Sequence, residues 1–393
     1  MARPYSRIRR LALASLAAVG SCDSPRLQRA VSVGTSQTVV ANAVDTIVTR
    51  AIPTLNLLQP RILAADSFHI ATDVVVNSRI AFVLDRGQTP HVTAVDMISG
   101  ATLRRFVPHA PSPGDTLVPV SMGLGHANVT PQLFLVDARS RRLVITPATA
   151  HGRELLTYTN LEAVLQRSDN PFSIAFAPWG MGIAGTLTTG SRFLYSPDGI
   201  HWTRWVDTAA AVYGLPPASF MRALATSSMI LLPPTTNSKH LIFLPSKYDR
   251  SIEAVDLDHG TDRRIVLDSS EGAPATLRLA SDGSVRIAWR NDARLHFVAA
   301  ASSRPFAALL DCDCRSLGGD TTLERRQVWL MDWQGHLLAR LVSPYKVSGM
   351  ALRDDASGLI ATVQMGAWQR LVEWKLSEYL SLPERASQTH PPT

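Results

Sequence analysis

Between Arg79 and Phe106 the chain alternates in a way that only extended backbone satisfies. Ile80, Phe82 and Leu84 fall on one side and Ala81 and Val83 on the other. Both sides are apolar, which suits a strand covered on both faces. A turn follows, Asp85-Arg-Gly-Gln-Thr-Pro, then a second strand Val92-Thr-Ala-Val-Asp96, a turn closing on Gly100, and a third strand Thr102-Leu-Arg-Arg-Phe106. Three strands in under thirty residues make most of one small antiparallel sheet.

The pattern returns. Ala254-Val-Asp-Leu-Asp-His-Gly260 repeats Ala94-Val-Asp-Met-Ile-Ser-Gly100, and two arginines follow each glycine, Arg104 and Arg105 in one copy, Arg263 and Arg264 in the other. The reason is local: aspartate bonds the turn backbone through its carboxylate, and glycine takes the positive φ that a tight hairpin demands. Looser copies read as the same kind of hairpin: Leu133–Asp137 leading to Leu143–Ile145, Phe193–Gly199 leading to Trp202 and Trp205, and Val328–Asp332 leading to Leu337–Leu341. Apolar runs between them, 172–177, 277–279 and 347–352, are the natural innermost strands of successive sheets. Copies spaced roughly 40 to 60 residues apart, each with about four short strands, match the period of a β-propeller. The expected fold is all-β, a six-bladed β-propeller with seven blades as the rival, occupying residues 68–382.

Along the chain, blade one ends near Phe106, blade two near Tyr158, blade three holds 172–206 and blade four 219–267. Blade five begins near Thr276 and runs through Val285–Trp289, with 295–298 and 306–310 as its outer strands or an insertion. The last blade uses 347–375. Asn160–Arg167 reads as a short helix, capped by Asn160 and presenting Leu161, Val164 and Leu165 on one face. The tryptophans Trp202, Trp205, Trp329, Trp333, Trp368 and Trp374 fall where blades pack together.

The ends of the chain differ from its body. Residues 1–21 have a basic start, an apolar run Leu11–Val19 too short to span a bilayer, and small residues before Cys22, the layout of an export signal. Val19-Gly-Ser-Cys22 resembles the lipobox of bacterial lipoproteins, which implies cleavage before Cys22 and lipidation of its thiol. Several acyl chains on one residue would then moor the protein at a membrane, in the cell envelope and facing the periplasm or the exterior. Residues 22–67 read as a tether whose second part supplies a ring-closing strand, and 383–393 as a disordered tail.

Charge changes less than it first suggests. The net charge is +7, but Arg3, Arg7, Arg9 and Arg10 lie in the leader, which has no acid; 39 basic residues less these four leaves 35 against 32 acids, a balance of +3. No basic cluster interleaved with aromatics remains, so nucleic acid is not an expected partner. The 46% apolar and 18% charged content is that of a folded protein with a large core, and 25 prolines with 23 glycines suit many turns.

Tyr195-Ser-Pro-Asp-Gly199 is close to the Ser-Pro-Asp-Gly turn of TolB-like propellers, and over residues 68–376 the chain resembles the six-bladed propellers of that group found among bacterial lipoproteins. The resemblance implies a periplasm-facing binding scaffold and carries over no catalytic residue. Ala280-Ser-Asp-Gly283 and Asp354-Asp-Ala-Ser-Gly358 depart from the turn.

Local chemical signatures are sparse. Gly180-Met-Gly-Ile-Ala-Gly185 fits G-x-G-x-x-G, but the β-branched Thr186-Leu-Thr-Thr189 follows where a phosphate-binding helix is required, so a glycine-rich strand is the better reading. No zinc-protease, serine-hydrolase or P-loop signature is present, and no cofactor is implied. Asp311-Cys-Asp-Cys314 places Cys312 and Cys314 as a candidate disulfide, with loop thiols or a soft-metal site as alternatives. Polar residues beside the inner-strand candidates, His69, Asp73, His126, Asn128, Asp169, Asn170, Arg222, Arg278 and Lys346, form the candidate ligand pocket. The expected function is a binding or assembly scaffold for a protein, peptide or glycan. The alternative is a metal-dependent propeller hydrolase, lactonase or lyase, which needs Glu, Asp or Asn ligands from separate blades; the inner strands offer few Glu, which favours the scaffold.

Overall fold

The computed structural model describes residues 52–64, 66–87, 91–106, 119–127, 130–137, 139–149, 157–165, 169–186, 191–207, 229–233, 240–247, 250–267, 275–279, 285–289, 294–315 and 326–380, with strand residues 28–29, 32–33, 37–41 and 46–47. The expected signal at 1–21, Cys22 and the expected tail at 383–393 lie outside the described residues.

Six antiparallel sheets radiate from a common axis as the blades of a β-propeller. Blade 1 is Ala71–Asn77, Ile80–Asp85, His91–Asp96 and Thr102–Phe106, innermost strand first. Blade 2 is Pro119–Ala127, Thr130–Asp137, Arg142–Pro147 and Thr157–Asn160. Blade 3 is Asn170–Ala177, Gly180–Thr186, Ser191–Ser196 and His201–Asp207. Blade 4 has an inner segment, 229–233, bridged through Leu231 to Phe243, then Leu241–Pro245, Ser251–Asp256 and Thr261–Val266. Blade 5 is Arg294–Ser302, Phe306–Arg315, Gln327–Asp332 and Leu337–Val342. Blade 6 is Val347–Leu352, Gly358–Met365 and Trp368–Lys375.

The core shows why no blade stands alone. Among the described residues there are six apolar clusters, and each is shared by two neighbouring blades: 1 with 2, 2 with 3, 3 with 4, 4 with 5, 5 with 6, and 6 with 1. Alternation along one strand feeds two seams at once. Phe82 and Leu84 enter the seam with blade 2, while Ala81 and Val83 enter the seam with blade 6, as the pattern at 80–84 predicts. Fully burying each large side chain contributes about 1.5–3 kcal/mol, so the seams supply most of the cohesion.

Inner strands share a device that the sequence hides. In blades 1, 2, 3, 5 and 6 the register slips just after the strand begins, at Ala71/Asp73, Pro119/Ser121, Pro171/Ser173, Leu295/Phe297 and Val347/Gly349. In blades 1, 2, 3 and 6 the residue after the slip reaches the next blade. Asp73 Oδ2 accepts the Met122 N–H (2.8 Å), Ser121 Oγ the Ile174 N–H (3.3 Å) and Ser173 Oγ the Ile230 N–H (3.4 Å). At the sixth seam the position is Gly349, where a Cβ would lie 3.0 Å from the backbone nitrogen of Asp73.

Short strands between Gln28 and Ile62 wrap the outside. Gln28–Arg29 pairs parallel with the fourth strand of blade 2, Ser32–Val33 and Gln37–Ala41 with that of blade 3, Gln37–Ala41 and Thr46–Ile47 with that of blade 4, and Thr54–Asn56 with that of blade 5. Arg61–Ile62 then pairs antiparallel with Trp368–Lys375 and takes the fourth place in blade 6. The ring is therefore closed by strands from both ends of the chain.

Three sequence expectations need correction. The hairpin at Asp137 joins the second and third strands of blade 2, whereas those at Asp96, Asp198, Asp256 and Asp332 join third to fourth strands; the Asp-led turn chemistry is common to both rims and does not encode position. Residues 275–279 and 285–289 form a separate two-stranded sheet, and blade 5 begins at Arg294. Residues 160–165 form one hydrogen-bonded turn in place of a helix: Asn160 Oδ1 accepts the Glu162 N–H (2.8 Å) and Leu161, Val164 and Leu165 are buried, so the cap and apolar face are real without a helix around them.

Candidate functional site

The two rims of the ring differ in kind. One carries the turns between first and second and between third and fourth strands, and is called here the hairpin rim. The other carries the second-to-third turns and the crossings between blades, the crossover rim. On the hairpin rim the Asp-led turns are uniform: Asp96 Oδ1 accepts the N–H groups of Ile98 and Ser99, Asp256 Oδ1 those of Asp258 and His259, and Gly100 and Gly260 close them at φ +74° and +64°. In both, the repeat's aspartate and glycine do what their local chemistry requires.

A cavity of about 400 Å³ opens on this rim where the first turns of blades 5, 6 and 1 converge. Arg304 comes from blade 5, Arg353, Asp354, Asp355 and Ser357 from blade 6, and Val76 and Ser78 from blade 1. The turns are tied together, since the Arg304 N–H donates to the Asp354 carbonyl (3.1 Å). Glu373, 6% exposed, fixes Arg353 from behind through Nε (2.5 Å), and its other oxygen accepts from Arg61 Nη2 (2.8 Å) on the wrapping segment. Two hydrogen bonds from Ser357 hold the Asp355 carboxyl below its usual range. The guanidinium of Arg304 and the carboxylate of Asp354 have no side-chain partner among the described residues and stand exposed. The cavity thus offers one unspent cation, one unspent anion and one pre-oriented arginine, a set suited to binding a polar group of mixed charge. Among its lining residues there is no histidine, cysteine or aromatic ring. Among the described residues no three His, Cys, Asp or Glu side chains gather into a metal-ligand set.

The pocket residues read from the sequence scatter over both rims. His69, Asp73 and Lys346 lie at the crossover ends of the adjacent inner strands of blades 1 and 6. The His69 N–H donates to Asp85 Oδ2 (2.9 Å), and its ring meets Trp368 edge-on at 4.7 Å. The three N–H groups of His69, Ile70 and Gly87 outweigh the burial that would raise the Asp85 carboxyl, and hold it below its usual range. Burial pushes the Asp73 carboxyl up to about 6. The Lys346 carbonyl accepts the Gln364 N–H (2.9 Å). Asp169 is fully buried against Arg204 Nη2 (2.9 Å), a pairing within blade 3 and away from either mouth. His126 ends an inner strand at the hairpin rim and Asn170 begins one at the crossover rim; their side chains, those of Arg278 in the separate hairpin, and Asn128 and Arg222 lie outside the described residues. Sequence reasoning missed Arg304 and Arg353. The available signal was the run Arg353-Asp-Asp-Ala-Ser-Gly358, which stands out as a turn but gives no hint that a second arginine, 49 positions earlier, arrives beside it.

No protein-family model and no curated protein matches the chain. Solved structures do. The chain is similar to Kuenenia stuttgartiensis hydrazine synthase (10% identity, TM-score 0.44, covering 79% of this chain and 97% of that one). It is also similar to the β-propeller domain of Myceliophteria thermophila Cps50 (Swd1) (11%, 0.44, 80% and 99%). A third is Chaetomium thermophilum Raptor (14%, 0.47, 80% and 28%). The propeller assignment for this chain rests on its own strand order and six shared seams.

Proposed function

We propose that this protein is a lipid-anchored, extracytoplasmic propeller of the TolB-like kind that serves as a binding or assembly scaffold, with the hairpin-rim cavity as the seat of a protein or peptide partner. The observation that carries this reading is the pair Arg304 and Asp354, charged, exposed and unspent, brought from blades 5 and 6 to one 400 Å³ cavity. A peptide supplies both a carboxylate and a donor, so it can satisfy both groups at once. A glycan would call for a stacking ring, which the lining does not contain. The anchor is supported by Val19-Gly-Ser-Cys22 behind a short apolar run.

Two measurements test it. Radiolabelled palmitate fed to expressing cells should enter the protein and be lost in Cys22→Ser; incorporation that survives the substitution, or none at all, refutes the anchor. A photo-reactive residue at position 78, on the cavity lining, should form a discrete partner adduct that Asp354→Ala abolishes, while the same residue at position 87 on the crossover rim should not. Equal labelling from both rims refutes the cavity.

A further inference from the structure

The seam between blades 4 and 5 holds a charged cluster that the rim cavity does not use. Asp311, fully buried, accepts hydrogen bonds from Arg250 Nε (2.8 Å), Trp329 Nε1 (3.2 Å), His296 Nδ1 (3.3 Å) and the Asp313 N–H (3.2 Å). Arg250 belongs to blade 4 and the others to blade 5, so this carboxylate clamps the seam. Asp313 extends the clamp, accepting from Arg294 Nη1 (2.6 Å) and facing Arg250 Nη2 at 3.6 Å.

Within this clamp Cys312 and Cys314 are joined by a disulfide, with their Cα atoms 5.0 Å apart. The strand register shows what the bond encloses. Leu295 faces Cys314 and Phe297 faces Asp311, so His296 alone opposes Cys312 and Asp313 in a bulge. Asp313 sits at φ +49°, in the left-handed region. Holding a non-glycine residue there costs on the order of 1 kcal/mol or more. A cross-link around a single residue removes almost no loop entropy from the unfolded chain, since that gain grows with loop length. The bond is therefore badly placed to act as a staple and well placed to hold a strained bulge.

We propose that Cys312–Cys314 is a thiol–disulfide exchange site for an external dithiol, and that its reduction loosens the blade 4–5 seam. The attacking thiolate meets the sulfur of Cys314, which is 5% exposed where Cys312 is fully buried. A mixed disulfide forms on Cys314, and the electron pair of the broken S–S bond leaves on Cys312, which takes a proton. The second thiol of the reductant then displaces Cys314 as a thiol and departs as its own cyclic disulfide, so two electrons and two protons pass to the protein. With the ring open the cross-link no longer holds Asp313 left-handed, and its carboxylate withdraws from Arg294 and Arg250.

The test uses the oxidised full chain with dithiothreitol as the dithiol, native alkylation read by peptide mass mapping, and hydrogen exchange before and after. Both cysteines should alkylate without denaturant, and exchange over residues 246–251 and 294–298 should rise roughly threefold to tenfold, the range expected from losing partly exposed ion pairs. Reoxidation should reverse the rise. In single variants, Cys314 of Cys312→Ser should react with an aromatic disulfide faster than Cys312 of Cys314→Ser. Alkylation only in denaturant, unchanged exchange at the seam, or the opposite order of reactivity would each overturn the proposal. The wild-type cycle alone decides it if the variants do not fold.

Discussion

Replacing Asp73 by asparagine should stabilise the protein at neutral pH and change it far less at about pH 4. Burial is the strongest influence on this carboxyl; the N–H groups of Met122 and Val74 and the Ser121 hydroxyl draw it back, and the balance moves it from 3.8 up to about 6. Below 3.8 the folded and unfolded chains both carry the proton and stability is at its highest. As pH rises from there the unfolded chain ionises first, so stability falls, and the loss is complete once the folded carboxyl has ionised above about 6. At 1.36 kcal/mol per pH unit the loss approaches about 3 kcal/mol. The residue keeps partial exposure, which brings the working figure to about 1–2 kcal/mol. Asparagine mimics the protonated acid: its oxygen can keep the Met122 N–H and the Ser121 hydroxyl, which share Asp73 Oδ2, while the Val74 N–H accepted by Oδ1 loses its acceptor. Urea unfolding of both proteins in steps from about pH 4 to about pH 7.5 should show the variant gaining on the wild type by that amount, with unchanged denaturant slope. Asp311 does not interfere. Burial opposes its ionisation, but His296 and Arg250 hold its carboxyl below 3.8, so its contribution is present above that value and is lost only as pH falls beneath the window. A difference that stays flat with pH, or a wild type that gains as pH rises, would refute the placement of Asp73 in a poorly solvated wall.

Asp311→Asn should cost about 3–5 kcal/mol in urea unfolding, because it leaves Arg250, only 13% exposed, facing a neutral group in a buried seam. Arg294→Ala, which removes an ion pair from a side chain 43% exposed, should cost under about 1 kcal/mol in the same assay. Gly349→Ala pushes a methyl against the backbone of Asp73 and should cost about 1–3 kcal/mol, read as a lowered Tm. Removing residues 1–64 takes away Leu57 and Leu63, worth together about 3–6 kcal/mol when buried, and the fourth strand of blade 6. The truncated chain should lose its cooperative transition in calorimetry, and a separate peptide covering 50–66 should restore part of it.

Where a signal was local, the sequence carried it. Ile80–Asp85 alternates because each face of a blade must be apolar, and a five-residue window is enough to see that. Asp96 and Gly100 mark a turn because both act on their own backbone. The same locality explains the errors. Asp137 makes the same Asx bonds, to Arg139 and Ser140, on the opposite rim, and nothing within the turn says which pair of strands it joins. Leu277–Leu279 and Leu295–Val298 are both short apolar strands; only pairing partners far along the chain decide that the second is the inner strand of blade 5. The cavity was illegible for a sharper reason. Its lining comes from turns near 78, 304 and 355, with the charges on the last two, and their convergence is a property of ring closure.

The wrapping segment connects these observations. An outer strand with an unpaired edge invites association with other chains, and a propeller has one such edge per blade. Here strands of two to five residues cover or complete the edge of blades 2 to 6 in ring order, all running in the direction of the fourth strands. Such strands pair along one side and need no alternating face, so the segment shows no periodicity and reads as a linker. Its last turn does more than cover an edge. Arg61 reaches Glu373 and the Met97 carbonyl, the Trp374 indole donates to the Leu58 carbonyl, and Glu373 in turn orients Arg353 in the cavity. The arginine that lines the cavity is thus held by the same contacts that fasten the two ends of the chain, and weakening ring closure should loosen the cavity before it unfolds the blades.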